Sequence, residues 1–139
     1  MIDAIGTWSP LLLFVLSIYV LWGKAAYYVI GIVMNSVLNI FLKQIIQQPR
    51  PDSRERLKLE TFGMPSGHAQ STAFSTVYIY LSTQTSLIYV YLLVTILCMI
   101  QRVAYNHHTF LQVYVGVLVG IMFAYVFYSL KPWFDRSVI

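Results

Sequence analysis

The chain has 139 residues, of which 58% are hydrophobic, 16% aromatic and only 10% charged. Soluble proteins carry about 25% charged residues, so this chain has too few charges to cover the surface of a soluble domain. The composition predicts an integral membrane protein and excludes the disordered, collagen-like and disulfide-scaffold classes. The single cysteine, Cys98, lies inside an apolar run, where we interpret it as small apolar filling.

A helix that spans the hydrocarbon core of a bilayer needs about 20 mostly apolar residues, so the chain has room for about five spans. Ser9-Pro10 predicts the beginning of the first helix, because proline is favoured in a first helical turn. We find no repeat or domain boundary, so the predicted fold class is all-α, a single polytopic membrane bundle over residues 1–139. The predicted spans are 10–22, 25–47, 66–82, 86–103 and 108–130.

Polar and small residues fall on single faces of these predicted helices. Asn35, Asn39 and Lys43 follow one another at four-residue steps and therefore share one face of the second helix. The two asparagines suit either interhelical hydrogen bonds or the lining of a path for a lipid phosphate. In the fifth helix, Gly116 and Gly120 form a small-xxx-small pair, which predicts close packing against another helix.

The basic residues are concentrated. Five of the nine Lys and Arg residues lie between positions 43 and 58, from the end of the second predicted span into the loop 48–65. Because successive spans cross the bilayer in opposite directions, this loop lies on the same membrane face as the turn 105–108. The positive-inside rule favours the cytoplasm for that face. Cations that belong to a binding site would mislead this count, so charge alone leaves the orientation open. Three of the five are interpreted as solvated or headgroup-facing: Arg54, Arg56 and Lys58.

The ionisable residues nearest the spans also gather on that face. Such residues are expensive in a membrane, about 2.5–3.5 kcal/mol each at mid-depth, and therefore favour a functional interpretation. Three cations and two imidazoles suit a multiply charged anion, and phosphate is the obvious candidate because Arg forks and a Lys charge match its oxygens. These residues are Lys43, Arg50, His68, Arg102 and His108.

The third helix begins with a second device for binding an anion. In Pro65-Ser66-Gly67-His68, we expect Ser66 to cap the helix and Gly67 to let a ligand oxygen approach the backbone. The free N–H groups and the positive end of the helix dipole would both face the anion.

Two histidines at one anion site predict a division of labour. One neutral imidazole can attack phosphorus, and the other, protonated, can donate to the leaving oxygen. We expect no metal and no cofactor, because the cations already neutralise the developing charge. His68, His107 and His108 also lack a Cys or carboxylate partner at ligand spacing. His107 is interpreted as a bystander, and no nucleic acid partner is expected.

Three motifs together resemble the signature of the type 2 phosphatidic acid phosphatase superfamily, over roughly residues 35 to 125. The motifs are Lys43-x6-Arg50-Pro51, Pro65-Ser66-Gly67-His68 and Arg102-x5-His108. The resemblance implies an all-α core shared with vanadium haloperoxidases, whose soluble branch the composition excludes. It implies that His108 is the nucleophile that forms a phosphohistidine and that His68 is the general acid. It also implies a phosphate clamp made of Lys43, Arg50, Ser66, Gly67 and Arg102.

Two positions differ from the general pattern of that superfamily, since Gln101 replaces a usual Ser and Gln112 replaces a usual Asp. Gln112 lies one turn after His108, so it can orient the imidazole but cannot stabilise its positive charge. The stretches 48–51, 62–66 and 108–113 are similar to the dolichyl-diphosphatase branch, which carries Gln at this position. The resemblance therefore implies a polyprenyl diphosphate or another lipid phosphate as substrate, and a lumenal or periplasmic active face.

An alternative from another class is a non-catalytic structural or scaffold protein of the membrane that retains this fold. Members of the superfamily commonly have six spans, and we predict five here. Retention of the clamp and proton-transfer residues argues against this alternative. A transporter is the weaker possibility, because the spans show no inverted repeat. The sequence leaves the oligomeric state open.

Overall fold

The structure is a computed structural model that describes residues 2–51 and 62–137. Within these ranges it contains helices and no strand, which confirms the all-α prediction. Arg54, Arg56 and Lys58 lie outside the described residues. The five helices are α1 (Ile2–Val20), α2 (Ala25–Ile46), α3 (Gly67–Ser82), α4 (Ile88–Ala104) and α5 (Phe110–Ser137).

The predicted beginning of the first helix is wrong, since α1 begins at Ile2 and Pro10 lies inside it. A proline has no N–H for the carbonyl four residues earlier, which here belongs to Gly6. The Ser9 hydroxyl donates to this carbonyl over 2.8 Å, and the Cys98 thiol donates to it over 3.8 Å. The carbonyl is therefore satisfied, and the helix continues through the proline.

The bounds of α2, α3 and α4 agree closely with the predicted spans. Helix α5 continues beyond the predicted end, through Pro132 to Ser137. Its beginning is fixed by a reciprocal capping box. The Gln112 backbone N–H donates to Thr109 Oγ1 over 3.2 Å, and the Thr109 backbone N–H donates to Gln112 Oε1 over 3.3 Å.

Helix α3 lies at the centre of the bundle and packs against all four other helices, most extensively against α5. The α3–α5 contact is close because it runs along Gly116 and Gly120. A Cβ on Gly116 would lie 2.6 Å from the Ser66 carbonyl oxygen, and one on Gly120 would lie closer still to the Gln70 carbonyl oxygen. The predicted small-residue seam is thus confirmed, and it brings α5 against the first turn of α3.

An aromatic core fills the end of the bundle where α1 joins α2 and α3 joins α4. Tyr28 stacks on Phe74 with ring centroids 6.1 Å apart, and its hydroxyl lies 2.8 Å from Ser75 Oγ. The hydroxyls of Ser17 and Tyr91 pair over 2.9 Å. Buried tyrosines need such partners, and with them they hold α1 to α4 and α2 to α3 at this end.

A layer of buried amides separates this core from the opposite end of the bundle. Asn39 Nδ2 donates to Gln70 Oε1 over 2.8 Å and to the Pro65 carbonyl over 3.2 Å. Gln70 Nε2 in turn donates to Asn35 Oδ1 over 2.9 Å. The two asparagines therefore form interhelical hydrogen bonds, one of their two predicted uses, and Asn39 holds the chain just before α3.

Two described helices are long and apolar enough to cross a membrane, Ala25–Ile46 and Phe110–Pro132, and two shorter ones are apolar, Ala4–Val20 and Ile88–Ala104. Large apolar side chains such as Val37 stand exposed on the outer faces of the bundle. These features fit a membrane protein, and the count of five spans stays a prediction.

Candidate active site

A cavity of about 350 Å³ lies at the end of the bundle opposite the aromatic core. Six of the residues predicted from the sequence line it: Lys43, Arg50, Gly67, His68, Arg102 and His108. Thr7 and His107 complete the lining, and none of these residues is acidic. The two other predicted residues, Ser66 and Gln112, lie behind this lining. The described residues contain no group of three or more His, Cys, Asp or Glu side chains that could hold a metal ion.

Arg50 is positioned by a short pairing between the two described ends of the 48–65 loop. Pro49 and Phe62 form an isolated antiparallel bridge, and the Gly63 N–H donates to the Gln48 carbonyl over 2.7 Å. Arg50 Nε lies 3.5 Å from the Phe62 carbonyl oxygen. The pairing fixes the backbone on both sides of Arg50, so its guanidinium is held at the cavity.

Arg102 occupies the last turn of α4 and is almost completely buried. Its Nη1 lies 3.5 Å from Oε1 of Gln101. Gln101 is the residue that stands where the superfamily described above usually has Ser. The Gln101 side chain packs so closely on Gly6 that a Cβ there would overlap it. The His108 N–H donates to the Arg102 carbonyl over 3.0 Å, which turns the chain back so that both residues reach one cavity.

Ser66 and Gly67 form the beginning of α3. Ser66 is the N-cap residue, but its hydroxyl makes no capping hydrogen bond, so the prediction that it caps the helix is wrong. Its backbone N–H donates to the Gln112 carbonyl over 3.0 Å, and among the described residues its buried Oγ has no partner. The first turn of α3 thus keeps N–H groups that no side chain caps, beside Gly67 in the cavity wall.

His108 is held in one tautomer by Gln112. The orientation of the Gln112 amide is fixed by two backbone groups: its Oε1 accepts from the Thr109 N–H, and its Nε2 donates to the Pro49 carbonyl over 2.9 Å. His108 Nδ1 lies 3.1 Å from that same Oε1, which can only accept, so Nδ1 carries the hydrogen. In the neutral ring, Nε2 is therefore the atom with a free lone pair.

Burial, followed by the positive charge of Arg50, lowers the pKa of His108 from 6.5 to about 3. Arg102 and Lys43 add smaller effects in the same direction, and the hydrogen bond to Gln112 acts against them. His108 is consequently neutral at pH 7, the protonation state that a nitrogen nucleophile requires.

His68 is oriented by a contact that the sequence did not reveal. Its Nε2 lies 3.1 Å from the Thr7 carbonyl oxygen, and because a carbonyl can only accept, Nε2 donates there. The prediction that α1 begins at Pro10 left Thr7 outside the bundle. His107, which we interpreted as a bystander, also lines the cavity, and its ring stacks on Tyr105 with centroids 6.5 Å apart.

Several known proteins are similar to this chain. Lipid phosphate phosphatase epsilon 1, chloroplastic, of Arabidopsis thaliana is 35% identical over 131 residues, which cover 84% of this chain and 46% of that protein. Lipid phosphate phosphatase epsilon 2, chloroplastic, of the same plant is 37% identical over 115 residues, covering 76% of this chain and 39% of that protein.

Dolichyldiphosphatase 1 of Dictyostelium discoideum is 29% identical over 119 residues, covering 77% of this chain and 52% of that protein. The chain spans about half the length of these relatives. No solved structure matches the chain. Residues 24–136, which include α2, α3, α4, nearly all of α5 and most of the cavity lining, match the PAP2 superfamily. The chain therefore belongs to the PAP2 superfamily.

Proposed function

We propose that this chain is a multi-pass membrane lipid phosphatase that hydrolyses a polyprenyl (dolichyl-type) diphosphate or a related lipid phosphate. The observation that carries the proposal is the single cavity in which three cations surround a neutral histidine with a free Nε2. The similarity to lipid phosphate phosphatases and to a dolichyldiphosphatase supports the same chemistry.

The phosphate group would be held by charge and by backbone dipoles together. Lys43, Arg50 and Arg102 neutralise its oxygens, and the two guanidinium groups can each donate two parallel hydrogen bonds. The N–H groups at the beginning of α3 donate to the same group, which Gly67 lets approach. Ser66 offers a buried hydroxyl close to this turn.

In the first step, the Nε2 lone pair of His108 attacks phosphorus in line with the leaving oxygen. The P–N bond forms as the P–O bond to the leaving group breaks; the leaving group is the lipid monophosphate when the substrate is a diphosphate and the lipid alcohol when it is a monophosphate. His68, protonated on both ring nitrogens and with its Nε2–H on the Thr7 carbonyl, donates its Nδ1 proton to the departing oxygen. Gln112 holds the His108 ring in place, because His108 Nδ1–H keeps its hydrogen bond to Gln112 Oε1 during the attack. The positive charge that develops on His108 is offset by the bound phosphoryl group.

In the second step, water attacks phosphorus, the P–N bond breaks, and the proton released from water returns to His68. Inorganic phosphate then leaves. We expect the reaction to need no cofactor and no metal, because Lys43, Arg50 and Arg102 supply the positive charge that a metal would otherwise supply. Activity should therefore persist in excess EDTA.

The active face would lie on the lumenal or periplasmic side. This is opposite to the cytoplasmic side that a simple count of Lys and Arg residues favours. Two of the five basic residues in the 43–58 cluster, Lys43 and Arg50, belong to the proposed phosphate clamp, so the remaining charges are too few to orient the chain. A membrane-impermeant label directed at the 48–65 loop in sealed vesicles should react only from the non-cytoplasmic side. Reaction from the cytoplasmic side alone would contradict this orientation.

The direct test is capture of the phosphoenzyme from a lipid phosphate labelled with ³²P. We expect acid-labile, base-stable label on the wild type and on His107→Ala, and none on His108→Ala. The reason is that only His108 is held as the Nδ1–H tautomer by Gln112. Label that persists on His108→Ala would refute the assigned nucleophile, and absence of label and turnover in the wild type would favour a non-catalytic scaffold.

A further inference from the structure

A cavity of about 330 Å³ lies at the end of the bundle opposite the active site, beside the aromatic core. The turn between α1 and α2, the end of α3 and the last part of α5 contribute to its walls. Two lysines line it, Lys24 and Lys131, and none of the described residues that line it is acidic. The proposed reaction uses no part of this cavity, so the positive charge gathered here needs an explanation of its own.

Lys24 stands where its charge is unfavourable for the helix that follows. It is the N-cap residue of α2, no side chain caps this helix, and the first turn contains no acidic residue. The uncapped N–H groups and the positive end of the helix dipole therefore lie next to a lysine. Because lysine is favoured at the end of a helix and not at its beginning, the dipole of α2 does not account for Lys24. An anion bound beside it would offset both positive charges.

Lys131 is held against the bundle by aromatic rings. Its Nζ lies 5.8 Å from the centroid of the Tyr128 ring, and Tyr128 in turn packs edge-on against the buried Tyr78 with centroids 5.8 Å apart. Tyr78 also lines the cavity. A cation–π contact fixes the ammonium group near the ring, and its three N–H bonds leave donors for a ligand in the cavity.

The end of α3 adds a hydroxyl group to the same cavity. Ser82 lines it, and among the described residues the buried Ser82 Oγ has no hydrogen-bond partner. The hydroxyl of the neighbouring Thr83, by contrast, donates to the Ile79 carbonyl over 3.1 Å. Two ammonium groups and one unpartnered hydroxyl, from three separate segments, thus line one cavity. This set of donors suits the oxygens of a phosphate group.

The remaining wall points to a phosphate that is carried by a lipid. Val20 and Trp22 also line the cavity, and 84% of Trp22 is exposed. Tyr19, beside them at the end of α1, is exposed as well. Trp and Tyr favour the boundary between hydrocarbon and water, which is the level of lipid head groups. A soluble anion would gain nothing from these side chains, whereas a phospholipid can place its phosphate on the lysines and the first carbons of its chains on Val20.

We infer that this cavity binds the phosphate group of an anionic phospholipid in the leaflet opposite the active site. The head group would join the turn between α1 and α2 to the end of α3 and to α5. In the proposed orientation this leaflet is the cytoplasmic one, where anionic lipids attract basic residues. The lipid would bind here whether or not the chain is catalytic.

The test is thermal unfolding of the full chain in a neutral detergent, titrated with a soluble short-chain phosphatidylglycerol. The unfolding temperature should rise, because a ligand that binds only the folded state stabilises it. Phosphatidylcholine with the same chains, which has no net charge, should raise it less. An equal rise with phosphatidylcholine, or no rise with phosphatidylglycerol, would overturn the inference.

Variants of the two lysines locate the bound lipid. Lys24→Gln/Lys131→Gln should weaken phosphatidylglycerol binding about thirtyfold, because each lysine near a membrane surface contributes about 1 kcal/mol. Lys24→Arg/Lys131→Arg should bind as the wild type does. Lys43→Gln is the matched control, since Lys43 lines the active-site cavity instead, and it should lower binding much less. Unchanged binding by Lys24→Gln/Lys131→Gln, or an equal loss in Lys43→Gln, would overturn the inference.

Inorganic phosphate distinguishes a lipid from a soluble anion. It should protect the wild type and Lys24→Gln/Lys131→Gln equally, through the active site, and protection that this variant loses would overturn the assignment to a lipid. Ser82→Ala should weaken phosphatidylglycerol binding about fivefold, the loss of one hydrogen bond, without lowering the unfolding temperature in lipid-free detergent. Wild-type hydrolysis by these variants would show that they fold. If the wild type hydrolyses no lipid phosphate, the proposed function fails, while the titrations still decide whether the lipid binds here.

Discussion

Gln112 Nε2 donates a hydrogen bond to the Pro49 carbonyl over 2.9 Å, and this bond joins the first turn of α5 to the residue just before Arg50. The same nitrogen donates to Gln48 Oε1 over 3.0 Å. One amide therefore holds the loop of the phosphate clamp with its nitrogen and His108 with its oxygen. An aspartate could not donate to Pro49, which gives a physical reason for glutamine at this position.

The first prediction concerns replacement of this amide by a carboxylate. Gln112→Glu keeps the acceptor for His108 and Thr109 but sets a second acceptor against the Pro49 carbonyl. A buried polar group left unsatisfied costs about 1–3 kcal/mol, so we expect kcat/KM for a lipid phosphate to fall by about tenfold or more. Gln112→Asp should also remain measurably active. If only the acidic variants were active, the natural chain would be a degenerate relative.

The second prediction concerns Gly63, whose Cα lies directly against the Gln112 amide. A Cβ on Gly63 would lie 2.5 Å from Gln112 Oε1, so Gly63→Ala should displace the amide and with it His108. We expect a lower kcat. The double variant Gly63→Ala/Gln112→Ala should be no worse than Gln112→Ala alone, because both changes act through one side chain. Additive losses in this double-mutant cycle would contradict the explanation.

The third prediction concerns the pKa of His108, which burial and the Arg50 charge lower to about 3. Imidazole signals in NMR spectra should show His108 neutral at pH 7, and Arg50→Gln should raise its pKa. Between pH 6.5 and about 3 the folded state binds fewer protons here than the unfolded state, so the free energy of unfolding should fall as the pH falls. A His108 titration near pH 6.5 in the wild type would contradict this.

The fourth prediction concerns the α3–α5 seam. Gly120→Leu would press a side chain into the backbone of α3 at Gln70, and overpacking of this kind costs about 1–3 kcal/mol or more. We expect a lower unfolding temperature in detergent. Leu118→Ala, on the partly exposed side of the same helix, is the control and should shift this temperature much less. Equal shifts would show that the seam has no special role.

Most of the fold could be predicted because the segments that form α2 to α5 are mostly apolar, carry their polar residues on single faces and are bounded by turn residues. The beginning of α1 could not, because continuation through Pro10 depends on Ser9 and on Cys98, a residue from a distant helix. The three motifs predicted which residues gather at the site, since each motif lies at a helix end on one face of the bundle.

The features of the site that could not be predicted from the sequence depend on contacts between distant segments. The contact of His68 with Thr7 needs α1 in place, and the bond from the Ser66 N–H to the Gln112 carbonyl needs α5 beside the beginning of α3. One local signal for the role of Gln112 does stand in the sequence. Thr109 followed three residues later by Gln112 has the form of a capping box, which accounts for the bonds between these two residues.

The separation of the aromatic core from the site has a practical consequence for work on this protein. Substitutions that strengthen the core end can be chosen without touching the reacting groups, since a layer of amides lies between them. Ser82 is one target, because among the described residues its buried hydroxyl has no hydrogen-bond partner. Ser82→Ala would remove that unsatisfied group and yield a more robust protein for structure determination, with the chemistry at the opposite end left as it is.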